Sequence, residues 1–463
     1  MDENDTFKPN EKNEKRKVNN QIFFNDLVIQ LSNSISENSI SDIIESLNFL
    51  IKYAENFPLP LNSVVLSYDF MPSLIFLYNS SNEEISMLTA LLLFKISYHP
   101  RSEIIECLVV NHFFEQILER VLLYSNQNED FIKISLKCIK NILIDFSSAI
   151  EIIYKNPEII ENFIQLISTQ SLSNMCVRKI IDILSFISGF EIEFNQKLHI
   201  LDESIRFLND TSYELFWSSL LCIPASMIIN NDSRQEILEK KNVLQICQNF
   251  IRSDDKSLIK SAIRCVGRHF LYSTEYICID FNKIMKCALS ESDDELSYIS
   301  LWLLSNALAT NSETISLIEN DGNIYDLLYS FFEKNRRLKC KYEAANGMYS
   351  IIRQGTKDQI KKAIKSNFIS ALIQSIEVEV EANGNEIGLT EKILKALNFL
   401  FNVKIIQLND INLTNICWNQ FYESCGDSII ENLVQSDSEN ISLIAQDFLK
   451  KMKSSKTHNN QWV

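Results

Sequence analysis

Trp302 and Asn306 stand four residues apart in the segment SLWLLSNAL. Positions i and i+4 share one face of a helix, one turn apart. An indole at i offers a flat surface that packs a lysine's aliphatic stem and attracts its ammonium. A carboxamide at i+4 offers both a donor and an acceptor. It can therefore hold the backbone of an extended peptide, whatever side chains that peptide carries. Repeated on successive helices, such a pair makes a ladder, and carboxylates between the rungs would select Lys and Arg. This chemistry is recognition of a peptide rather than catalysis.

The other reactive residue types form no comparable pattern. No two of the eight glycines stand in GxGxxG register and none begins GxxxxGK[ST], which argues against a phosphate loop. The eleven cysteines contain no CxxC, the five histidines are scattered and no HExxH occurs. Neither a metal site nor a nucleophile–histidine triad is expected, and no cofactor is. Cys138, Cys222, Cys265 and Cys287 fall in apolar helical patterns and read as small buried hydrophobes. Asp293 and Asp294 lie in a polar connector and read as a solvated pair, not a buried acid/base couple. The chain is not expected to be an enzyme.

Composition narrows the fold and the partners. Eight glycines and seven prolines in 463 residues leave too few turn formers for an all-β sandwich or barrel. With 46% hydrophobic residues the chain is not a disordered or low-complexity protein. A net charge of −16 suits a basic partner by complementarity and does not suit a phosphate backbone, so nucleic acid is not an expected partner. No stretch reaches the roughly 18 uncharged apolar residues of a membrane span. The first residues, MDENDTFKPNEKNEKRK, are charged without an apolar core, so no secretory signal is expected.

From about residue 22 the pattern is helical and stays so. In SDIIESLNFLIKYA, Ile43, Ile44, Leu47, Leu50 and Ile51 fall on one face. Similar runs continue to about residue 452, separated by short polar connectors: SSNEE, NQNED, LNDTS, RSDDKS, SESDDE and FEKNRR. Their succession predicts a repeat period near ~40 residues, the range of helical solenoids. Such units cannot bury their apolar faces alone and must stack on their neighbours. Residues 1–20 read as a disordered charged arm, 21–453 as the solenoid and 454–463 as a flexible tail. The segment Ile376–Lys392, with two of the eight glycines, reads as a loop inserted between repeats.

Five fragments, in order, resemble the armadillo repeats of the importin-α family. NFPLPLNSVVLSYDFMPSLIFL, with Pro72 at a helix start, is similar to the family's first repeat. SAIRCVGRHF resembles its ALRAIGNI stretch. SLWLLSNAL reproduces its W-x-x-x-N motif, KYEAANGMYSII is similar to the helix that follows, and YESCGDSIIENLVQSDSENISLIAQDFLKKM resembles the last repeat. The resemblance implies an all-α, armadillo-repeat, right-handed superhelical solenoid with a peptide-binding groove. It implies a nuclear import adaptor that binds basic nuclear-localisation peptides and links them to a β-type import receptor. Basic-peptide cargo proteins, importin-β and an export receptor would then be its partners, in cytoplasm and nucleus. A non-transport scaffold with a re-specialised groove is the alternative.

Carried over residue by residue, the family's minor groove keeps Arg264, Trp302, Asn306 and Glu343, the last as the carboxylate that would meet a cargo base. Arg268 replaces the Asn of the repeat holding Arg264, and Asn346 and Ser350 take the next Trp and Asn positions. In the major groove the Trp position falls on Leu91, Lys137, Asp182 and Trp217, and the Asn position on Lys95, Asn141, Phe186 and Leu221. Only Asn141 and Trp217 survive there, in different repeats. Lys95 and Lys137 would repel a basic peptide. In the N-terminal arm, Lys15, Arg16 and Lys17 would supply the receptor-binding or autoinhibitory cluster. Trp418 reads as packing and Trp462 as part of the tail.

Overall fold

In the computed structural model, the described residues exclude 1–10, 57–69, 99–105, 107, 111, 124–127, 147, 170–171, 191–192, 229–240, 273–278, 333–336, 382–386, 402–408, 437 and 460–463. Side chains are further excluded for residues 11–21, 123, 272, 377–381, 387 and 451–459. Among the described residues every regular element is helical. The chain divides into two units, Met1–Arg206 and Phe207–Val463.

In the first unit, α1 (Glu11–Ser36) packs on α2 (Ile40–Asn56), and a row continues through α3 (Glu83–Ser97), α4 (Glu129–Asp145) and α5 (Asn174–Ser188), each against the next. Helix α1 crosses the boundary drawn at residue 20; it contains the backbone of Lys15, Arg16 and Lys17, whose side chains lie outside those described. In the second unit a row begins with the short helices Trp217–Leu220 and Cys222–Met227. It proceeds through α6 (Lys256–Tyr272), α7 (Asp294–Leu308), α8 (Leu338–Gln354), α9 (Ile387–Phe399) and α10 (Glu439–Asn459). Helix α10 likewise runs past the tail boundary at 453. Shorter helices, such as Phe281–Ala288 and Ile324–Ser330, cover the apolar backs of these rows.

The polar connectors work as helix starts. In SSNEE, the Asn82 side chain accepts from the amides of Glu84 and Ile85 and caps α3. In NQNED, Asn128 caps α4, and in SESDDE, Asp293 accepts from Leu296 and caps α7. Such caps satisfy amides that a helix cannot pair internally, each for about 1 kcal/mol. The inner helices of a row, α3 to α8, bury most of their circumference and leave one narrow line partly open. On α7 that line is Glu295, Tyr298, Trp302 and Asn306; on α4 it includes Lys133, Lys137, Lys140 and Asn141.

Contacts between neighbouring helices of a row display the repeat directly. Ser305 meets Glu343 at a separation of 38 residues, Asn306 meets Gly267 at 39, Lys140 meets Asp182 at 42 and Asn141 meets Ser97 at 44. These spacings agree with the period near ~40 read from the connectors. The insertion expected over Ile376–Lys392 is mostly helical instead: Phe368–Glu381 and α9 cover all of it but residues 382–386, which lie outside the described residues. Its glutamates alternate with valine, and the apolar positions Ile373 and Ile376 before them are fully buried, which carries the helix onward.

A candidate peptide-binding ladder in the second unit

Trp302 and Asn306 are both half-buried on the open line of α7 and both rest on Gly267 of α6. A Cβ at Gly267 would lie 2.3 Å from the indole Cζ3, so only glycine lets the ring approach this closely. The Asn306 amide donates to the Gly267 carbonyl at 3.3 Å. Both side chains are thereby positioned by a single residue in the middle of a neighbouring helix. Gly267 escaped the sequence reading as a site residue, although a glycine inside an apolar helical pattern was the available signal.

Beside this pair lies a pocket of about 260 Å³, lined by Ser305, Asn306, Asn346, Tyr349, Arg353 and Lys392 among others. It brings together the adjacent rungs Asn306 and Asn346, and Ser350 also borders it. The Oδ1 of Asn346 is buried without a hydrogen-bond partner. Arg353 comes from the last turn of α8 and Lys392 from α9, where its ammonium stands 5.3 Å from the Tyr342 ring centre. Among the described residues no carboxylate lines this pocket. Arg353 and Lys392 were not singled out in the sequence, because neither is near the other, or near Asn306, along the chain.

Glu343 does not stand open as the resemblance implied. It is 6% exposed and accepts from Ser305 Oγ at 2.6 Å and from Asn346 Nδ2 at 3.4 Å. A buried carboxylate bound in this way holds α7 and α8 in register. Arg264, 39% exposed, pairs with Glu295. Lys260, one turn before it, reaches Glu295 at 2.9 Å and Asp293 at 3.1 Å. The hydrogen bond to Glu295 raises the Lys260 pKa, and the same bond holds Glu295 below the usual carboxylate range. Burial acts against Asp293, but the Leu296 amide and Lys260 hold it low as well. The remaining bases of α6 are also engaged: Lys256 donates to Ser292 and Arg268 to the Ala225 carbonyl.

The other candidates fall elsewhere. Trp217 donates from its indole to the Phe207 carbonyl at 3.2 Å and lies 5.1 Å from the Phe250 ring. Its expected partner position, Leu221, is fully buried and reaches no groove. Asn141 donates to Ser97 Oγ at 3.2 Å, in the first unit. Trp418 packs among Phe401, Phe421 and Tyr422, and Trp462 lies outside the described residues. Cys138, Cys265 and Cys287 are buried, while Cys222 is half-buried. Asp293, read as solvated, is a helix cap and an ion-pair partner.

No protein-family model matches the chain, and no curated protein matches it by sequence. Solved structures do match. An engineered protein from a structural genomics programme is 15% identical over 93% of this chain and 98% of its own, with a TM-score of 0.62. A structure from work on a phosphorylation switch controlling the interaction between cadherin and β-catenin covers 93% of this chain and 98% of its own, at 12% identity and a TM-score of 0.47. A designed armadillo repeat protein in complex with a (KR)4 peptide is 15% identical over 54% of this chain and 98% of its own, with a TM-score of 0.44. The fold is an all-α armadillo-repeat solenoid.

Proposed function

We propose that the chain is a non-catalytic protein-binding scaffold that holds an extended segment of a partner along the open line of the second unit's row. The observation that carries this reading is the convergence of Asn306 and Asn346 on one polar pocket, with Trp302 one turn before Asn306 on the same open line. Two carboxamides on adjacent helices can each exchange hydrogen bonds with a peptide backbone, and the indole, on the α6 side of the same line, supplies an apolar surface for a side chain. An unbiased library of linear peptides, selected against the full chain, tests the proposal. Enriched peptides should lose about tenfold in affinity with Asn306→Ala, while the melting temperature stays within about 1 °C. No enrichment, or enriched peptides indifferent to Asn306, would overturn it.

The finer reading is an importin-α-like nuclear import adaptor, favoured by the intact Trp302–Asn306 pair. It requires basic cargo, and the charges nearby fit that cargo poorly. Glu343 is buried, Glu295 and Asp293 are taken by Lys260 and Arg264, and the pocket presents Arg353 and Lys392. For this reason the scaffold reading stands first. A labelled two-cluster basic peptide that binds at physiological salt and needs Trp302 would reverse the order. Binding that salt abolishes and Trp302→Ala leaves unchanged would remove the import reading.

A further inference from the structure

The first unit carries a different kind of surface, outside the ladder site proposed above. Lys133, Lys137 and Lys140 form one stripe on α4, at i, i+4 and i+7. Arg178 and Lys179 stand on α5, next to α4 in the row. The carboxylates on these helices are Glu129 and Asp130 at the start of α4, Asp145 at its end, and Asp182 on α5. Asp130 lies 4.0 Å from Lys133, and Asp182 lies 3.2 Å from Lys140. Lys137 holds its ammonium 5.2 Å from the Phe94 ring centre. The middle of the patch therefore sets Lys140 and Lys179 against the single carboxylate Asp182, with Lys137 within electrostatic reach of Lys179. Burial lowers the Lys179 pKa, and Lys137 and Lys140 lower it further against the pull of Asp182. This excess of positive charge stands in a chain of net charge −16.

Apolar groups border the lysines. Phe94, Ile134 and Phe186 are partly open along the same lines, and Met175 and Ile144 are 46% and 53% exposed. We infer that this face binds an extended acidic segment of another protein. Carboxylates of the segment meet Lys137, Lys140 and Lys179, and its apolar side chains cover Phe94, Ile134 and Phe186. A bound anion would relieve the repulsion among the three lysines, and the amide of Asn141 stands on the same line for backbone contact. A nucleic acid fits less well. Its backbone needs a run of unpaired cations, whereas this patch has carboxylates at both ends of α4, Asp182 between its lysines and apolar rungs within it.

The test uses the full chain and a fluorescein-labelled peptide of about twelve residues, alternating Glu and Leu, at physiological salt. Its Glu→Gln counterpart and poly(U) RNA serve as comparison probes. The acidic peptide is expected to bind saturably, about tenfold or more tighter than the Gln peptide. Lys137→Gln combined with Lys179→Gln should weaken it by about tenfold without lowering the melting temperature, the paired Arg substitutions should retain it, and Arg264→Gln in the second unit should have no effect. Equal binding of the Glu and Gln peptides would overturn the inference. So would an equal loss in Arg264→Gln, or poly(U) displacing the peptide through the same lysines.

Discussion

The charges on α6 and α7 of the second unit and on α4 and α5 of the first are treated in opposite ways. On α6 and α7 of the second unit each base is answered: Lys260 by Asp293 and Glu295, Arg264 by Glu295, Arg268 by the Ala225 carbonyl. On α4 and α5 of the first unit Lys140 and Lys179 share the single carboxylate Asp182, and Lys137 rests on an aromatic ring. The same repeat geometry therefore serves two purposes. Where charges are paired within the face, polar and aromatic rungs are left to read a backbone. Where charge is left over, the face selects its ligand by sign. The polar rungs divide in the same way: Trp302 and Asn306 form a pair on one helix, while Asn141 stands beside Lys137.

The strongest way to break the ladder of the second unit is to displace its footing. Gly267→Val would push a branched side chain into the indole of Trp302 and should cost about 2–3 kcal/mol, with a red or blue shift in tryptophan emission. Thermal unfolding reads the loss; an unchanged melting temperature would mean that the indole does not rest on Gly267. Next in size is Glu343→Ala, which removes the acceptor of the half-buried Asn346 Nδ2, leaves Ser305 Oγ only the Trp302 carbonyl, and should cost about 1–3 kcal/mol. A loss below about 0.5 kcal/mol, the level of a surface substitution, would show that the carboxylate is solvated.

Smaller but sharper is a pair of charge deletions with opposite signs. The folded-state pKa of Lys179 is lowered, so its charge opposes folding below that pKa, and the penalty fades as pH rises toward the unfolded value of about 10.4. The folded-state pKa of Lys260 is raised, so its contribution is complete below the unfolded value and is lost as pH rises through the folded one. Lys179→Met should accordingly stabilise the protein at pH 7 and Lys260→Met destabilise it, each by about 0.5 kcal/mol. Denaturant titrations at pH 7 and near pH 10.5 should show the Lys179 effect fading, while the Lys260 effect largely persists until pH rises through its higher folded-state value. Effects of the same sign would dissolve the contrast between the units. Smallest of all, molar salt should narrow the difference between the two variants by screening the exposed charges.

Much of the fold was legible because its signals are local. Apolar stripes such as Ile43, Leu47, Leu50 and Ile51 define helices, and connectors such as SSNEE and SESDDE carry the caps that start them. Their spacing yields the period that Ser305–Glu343 and Lys140–Asp182 then realise. The open line through Trp302 and Asn306 was legible for the same reason, since both lie on one helix. What depends on a neighbouring helix was not. Glu343 looks solvent-facing within KYEAANGM, but its burial is set by Ser305, 38 residues earlier. The cations at the pocket come from the end of α8 and from α9, and the helices over Ile376–Lys392 override a glycine-bearing stretch that reads locally as a loop.

The most direct test of the peptide-reading ladder uses Trp302 as its own reporter. Of the chain's four tryptophans, Trp217→Phe, Trp418→Phe and Trp462→Phe leave Trp302 as the emitting indole. This variant would be titrated with a library-selected peptide while the peptide's anisotropy is followed. The account predicts a saturable change in Trp302 emission with the same midpoint as the anisotropy, abolished by Asn306→Ala. A peptide that binds while Trp302 emission stays constant would contradict it.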